Sequence, residues 1–122
     1  MELGSVLLAE NRIEDARQAF ELEAPEYGRQ AGGAMALHAL GRRPEATAAL
    51  EHFIQDYGHN QPMTVAEACS YLGDTDLAFD WLERAYRQKD PLMPYVKGDW
   101  LMHGVEHDPR FKAFLKKMNL PE

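Results

Sequence analysis

His103, Glu106 and His107 come nearest, by type and spacing, to a catalytic constellation. They sit in His103-Gly104-Val105-Glu106-His107, an H-x-x-E-H pattern. On an α-helix that spacing puts two imidazoles on one face as zinc ligands, with the carboxylate as general base. The chemistry would be metal-assisted hydrolysis. Two features oppose it. Gly104 weakens a helix, and Asp108-Pro109 starts a new one directly after His107. No third ligand stands out. A small zinc hydrolase is therefore the remote alternative, and a solvated linker is the expectation.

Other reactive types are sparse. Cys69 is the single cysteine, which excludes an internal disulfide framework. It shares an apolar helical pattern with Val65, so a small core residue is expected rather than a reactive thiol. Glu21, Glu23, Glu26 and Asp56 add negative charge, but nothing in their spacing singles out a catalytic acid pair. Gly32-Gly33 has no preceding strand, so a phosphate cradle is not expected. Close helix–helix contact or a frayed helix start is expected instead. Arg110, Lys112, Lys116 and Lys117 accompany the apolar residues of 111–118. A core cap is expected there; a basic amphipathic membrane or partner helix is the lesser alternative, because the apolar face is short and late lysines also suit the helix dipole. No catalytic residue, cofactor or metal is expected.

The elements that must position these residues are helices. In Leu77–Tyr86, Ala78, Trp81, Leu82, Ala85 and Tyr86 fall on one helical face. Gly73 ends the helix before it, Thr75 is the expected N-cap, and Pro91 the expected stop. Earlier, Leu3, Leu7 and Leu8 mark a short helix to about Glu10, with Asn11 as a left-handed stop. Ile13, Ala16, Ala19, Phe20 and Leu22 mark the next, limited by Pro25. Ala34, Leu37 and Leu40 mark another, stopped by Gly41. Ala46, Leu50, Phe53 and Ile54 follow, with Pro44 near that helix's first position.

These segments are copies of one unit. Asn11, Gly41 and Gly73 correspond, as do Ala16, Ala46 and Ala78, and Phe20, Leu50 and Leu82. The spacing is 30 residues from Ala16 to Ala46 and 32 from Ala46 to Ala78. The alanine lets two helices approach, and the large residue one turn later fills the gap beside it. On these residues the chain resembles the tetratricopeptide-repeat family, whose helix–turn–helix unit is ideally about 34 residues. The best-matching copy has Leu72-Gly73-Asp74, then Ala78, Leu82, Ala85 and Pro91. The early tryptophan of that family is missing from every copy, and both spacings are short.

The resemblance implies an all-α fold: a right-handed superhelix of about three helix–turn–helix repeats over residues 1–91, with a linker and capping helix over 92–122. Asp108-Pro109 should start that cap, with Phe111, Phe114, Leu115 and Met118 on its apolar face. The order Lys97, Asp99, Asp108-Pro109-Arg110-Phe111, Phe114-Leu115 also resembles the segment after the repeats in bacterial multidomain signalling proteins. The chain starts almost inside a helix, as an excised piece of a longer protein would.

In the family the first helix of each pair lines a concave groove. By repeat alignment those positions are Ser5, Leu8, Ala31, Met35, His38, Met63, Glu67, Ser70 and Tyr71. The implied function is a non-catalytic protein–protein interaction module that holds a peptide or partner domain. Family members that grip a C-terminal carboxylate use cations there. Ser5, Ala31, Met35, Met63 and Glu67 include none, so no carboxylate clamp is expected. The alternative is self-association or an intramolecular scaffold role, and Tyr27, Tyr57 and Tyr95 are candidate contacts for either function. A formal charge of −7 argues against nucleic acid or anionic membrane as a bulk partner. No apolar run reaches membrane-span length, and Met1–Arg12 lacks the pattern of a signal peptide, so a cytoplasmic setting is expected.

Overall fold

Asn11, Gly41 and Gly73 all take the left-handed backbone conformation, with φ of 60°, 82° and 85°. In a computed structural model, which describes residues 7–23, 26–90, 96 and 100–118, each of them closes a helix in the same way. The stop residue's N–H donates to the carbonyl three residues back: Asn11 to Leu8, Gly41 to His38, Gly73 to Ser70. The following N–H reaches five residues back: Arg12 to Leu7, Arg42 to Leu37, Asp74 to Cys69. This double bond is the Schellman closure, which satisfies carbonyls that a helix end otherwise orphans. Lys89 repeats it with φ of 56°, bonding Tyr86 while Asp90 bonds Ala85.

Between these stops run α1 (Ile13–Glu23), α2 (Glu26–Ala39), α3 (Arg43–Tyr57), α4 (Pro62–Leu72), α5 (Thr75–Arg87), a 3-10 turn (Trp100–Gly104) and α6 (Pro109–Lys117). Residues 7–9 are also helical. Every regular element among the described residues is helical. The sequence pattern grouped three repeats over residues 1–91. The chain divides into two compact units, Met1–Asn60 and Gln61–Glu122. In the first unit α1 and α3 both pack on α2. In the second, α5 and the 3-10 turn both pack on α4.

The alanines that should permit close packing are enclosed: Ala16, Ala46 and Ala78 are each 0% exposed. Phe20, Leu50 and Leu82, one turn on, are buried with them. Burying such a side chain contributes about 2 kcal/mol. The two adjacent glycines of α2 separate cleanly. A Cβ added at Gly32 would clash with the Phe20 ring of α1. One added at Gly33 meets nothing within 4 Å. Close approach therefore explains Gly32 alone.

Several local expectations need correction. Asp74, not Thr75, caps α5: its Oδ1 accepts from the Leu77 N–H at 3.3 Å, and Thr75 is the first helical residue. The Schellman bond of Asp74 fixes the cap one residue earlier than the pattern implied. Leu40 lies in the turn after α2 and is 40% exposed, and Leu22 is 84% exposed, so neither is core. Met118 caps the end of α6 rather than extending it. The left-handed Lys89 ends α5 ahead of position 91. Pro25, Pro91, Leu3 and Tyr95 lie outside the described residues.

The other helix starts use the residues expected. Pro44 lies in the first turn of α3, and Asp108 accepts from the Arg110 N–H at 2.9 Å with Pro109 opening α6. Gln61 makes no side-chain cap for α4. Asp90 supplies it across the fold, with Oδ2 accepting from the Met63 N–H at 3.4 Å.

Candidate interaction surfaces

The groove positions divide by how much surface each helix keeps. α2 lies between α1 and α3, so Ala31 and Met35 are buried along with Ala34 and Ala36. Leu8 is buried as well. On α4, Met63 and Ser70 are buried, since α5 and the 3-10 turn occupy two sides of that helix. These five side chains are buried, at 5% exposure or less. Met35 and Met63 pack under their neighbours. His38, Glu67 and Tyr71 remain half-buried. Ser5 lies outside the described residues.

On α4 the half-buried residues Thr64, Glu67 and Tyr71 recur at i, i+3 and i+7, one strip of helix surface. Burial holds the Tyr71 phenol above its usual range. Burial, and secondarily the Arg43 guanidinium, lowers the His38 imidazole. Both keep their neutral form near pH 7, and His38, Glu67 and Tyr71 each already interact with another group of the chain.

The H-x-x-E-H segment is not an α-helix. His103 ends the 3-10 turn with Gly104, and residues 105–107 form turns. His103 and His107 side chains are 67% and 93% exposed, each 3.9 Å from a Glu106 oxygen. Among the described residues no group of three His, Cys, Asp or Glu side chains gathers as a metal site. The helical premise of the zinc site therefore fails. Gly104 has a packing role instead. A Cβ there would strike the Ser70 backbone carbonyl and lie 3.1 Å from Ser70 Oγ. The segment docks on α4 by being small at that point.

Cys69 is fully buried, and loss of hydration pushes its thiol up to about 12. It stays protonated at neutral pH and is inert as a nucleophile. Tyr27 and Tyr57, candidates for partner binding or self-association, are engaged with each other, with ring centroids 6.3 Å apart. Asp56 accepts from Gln30 Nε2 at 3.4 Å and lies 3.2 Å from His52 Nε2, which ties it into the α2–α3 surface.

The basic tail helix turned out to have a partner that sequence reasoning missed. Arg110 Nη1 is 2.9 Å from Asp76 Oδ1, and its guanidinium lies 4.6 Å over the Phe79 ring. Lys117 Nζ is 2.7 Å from Glu83 Oε2 and 4.8 Å from the Tyr86 ring centre. Phe114 meets Tyr86 edge-on at 6.1 Å. Hydrogen bonds from Arg110 hold the Asp108 carboxyl below its usual value. Phe111, Phe114 and Leu115 are buried. A signal was present: Asp76, Phe79, Glu83 and Tyr86 fall at i, i+3, i+7 and i+10, one stripe of α5. Among the described residues no helix is long and apolar enough to cross a membrane.

No protein-family model, curated protein or solved structure matches the chain.

Proposed function

We propose that the chain is a non-catalytic, tetratricopeptide-like interaction module that binds a peptide segment or partner domain through its first-in-pair helices. The observation carrying this is the threefold turn. Asn11, Gly41 and Gly73 share one closure, and Ala16, Ala46 and Ala78 share complete burial five residues later. A unit repeated at that level is how stacked helix pairs present an extended surface for partners. The superhelical stacking of three copies belongs to this proposal.

Burial narrows the contact set to residues with surface: His38 on α2, and Glu67 and Tyr71 on α4. Tyr71 offers a large ring with a polar tip, and Glu67 adds an acidic neighbour one turn away. A ligand of basic and aromatic character suits them better than a C-terminal carboxylate. Panning a displayed peptide library against the chain, beside Glu67→Lys/Tyr71→Ala, tests this. Enrichment of peptides that the variant no longer binds supports the α4 strip. Equal enrichment by both, with both folded by circular dichroism, removes it.

A further inference from the structure

We propose that the α5 stripe Asp76–Phe79–Glu83–Tyr86 is an acceptor surface for a cationic, aromatic-bearing amphipathic helix, and that α6 is its resident, displaceable occupant. The stripe is specific to the third copy. The counterparts of Asp76, Phe79 and Glu83 are Glu14, Arg17 and Glu21 on α1 and Pro44, Thr47 and Glu51 on α3, all exposed, and that of Tyr86 on α3 is the half-buried Ile54. None of those sets alternates acid with aromatic. On α5 the alternation fits a helix with cations seven residues apart, which Arg110 and Lys117 supply.

On α5 each cation reaches one carboxylate and one ring face, and Arg110 is also held by Asp108 of its own helix cap. That pairing is the recognition code: acid and π-face together select a cation, and Phe114 against Tyr86 sets the register between the two ends. The contact is also made to open. Asp76 is 88% exposed, and Arg110, Glu83 and Lys117 are 48%, 43% and 45% exposed. Exposed pairs are weak and screened by salt. A helix of 9 residues is marginal in water once undocked, so α6 unfolds as it leaves. Release uncovers Phe79 and Tyr86 between two carboxylates, ready for another helix of the same pattern. This surface is on α5 and does not depend on the α4 strip.

The probe is a fluorescein-labelled peptide spanning residues 107–118, titrated into the full chain while anisotropy is read. Arg110→Glu/Lys117→Glu loosens the resident helix and leaves the acceptor intact. That variant should bind the peptide about tenfold more tightly than wild type, because the competent fraction rises. Adding Asp76→Lys/Glu83→Lys should abolish the gain. Equal affinity for wild type and the loosened chain overturns the proposal, as does binding that survives reversal of the acceptor. A loosened chain that dimerises by light scattering and excludes the peptide assigns the stripe to a second copy and also overturns it. Should the variants fail to fold, hydrogen exchange on wild type decides. Raising salt to about 1 M should speed exchange of α6 amides without moving those of α4 and α5. Exchange of α6 only together with α5 would overturn the displaceable strap.

Discussion

Residues 41–46 and 73–78 trace the same turn and complete it with opposite charge. After Gly41, Arg42 clamps Glu45, with Nε 3.2 Å from Oε1 and Nη2 2.9 Å from Oε2. Arg12 clamps Asp15 at 3.0 and 2.9 Å in the first copy. After Gly73, Asp74 accepts the Leu77 N–H directly, and Asp76 turns to Arg110. The backbone is therefore indifferent to which side chain follows the stop. What differs is the neighbour. The exposed starts of α1 and α3 face solvent, where an arginine can fold back on its own acid. The start of α5 faces a cationic helix, where another arginine at 74 or 76 would add like charge.

The equivalence of the copies is broken most directly by overpacking. Ala46→Leu and Ala78→Leu should each cost about 3 kcal/mol, since both sites are fully enclosed. Urea unfolding measures both, and a loss at one alone would mean the copies are not packed alike. Next in size is the glycine pair. Gly32→Ala should cost about 2 kcal/mol by forcing the Phe20 ring aside. Gly33→Ala should gain about 0.5–1 kcal/mol, because a helical glycine is replaced in open space. Thermal unfolding that falls for both would show that Gly33 has an unseen neighbour.

The two turn chemistries differ by less. Asp74→Ala should cost about 1 kcal/mol, the typical loss of an N-cap. Arg42→Ala should cost only a few tenths of a kcal/mol, as an exposed i,i+3 pair. Equal melting shifts would mean that Asp74 acts as a surface charge rather than a cap. The smallest effect at neutral pH belongs to Cys69. Its thiol rises from 9.0 to about 12 on folding, so the unfolded chain ionises first. The Cys69 contribution to stability should be constant below pH 9 and fall between there and about 12, a loss that Cys69→Ala removes.

Much of this was legible because it is local. A helix stop needs one residue that tolerates positive φ, and Asn11, Gly41 and Gly73 are such residues. The stop at Lys89 is not legible, because lysine carries no such signal and Pro91 offers a stronger one nearby. Asp74 and Thr75 both make good caps, and only the path of the chain after Gly73 chose between them. Groove residues were poorly legible for a different reason. Repeat alignment assigns a face to Met35 and Met63 but says nothing of how closely neighbouring helices crowd it. H-x-x-E-H misled because its meaning presumes an α-helix that Gly104 and Asp108-Pro109 already argued against.

By itself, the sequence determined the helical class, the ends of most helices, the three equivalent turns and the buried alanine at each. Those depend on backbone preference and on a 3.6-residue apolar period, which act over a few neighbouring residues. Tertiary structure decided which faces remain open, that Gly32 rather than Gly33 meets Phe20, that Gly104 fits against Ser70, and that α6 finds Asp76 and Glu83. Lys117 and Glu83 are 34 residues apart along the chain, so their meeting is beyond the reach of local sequence pattern.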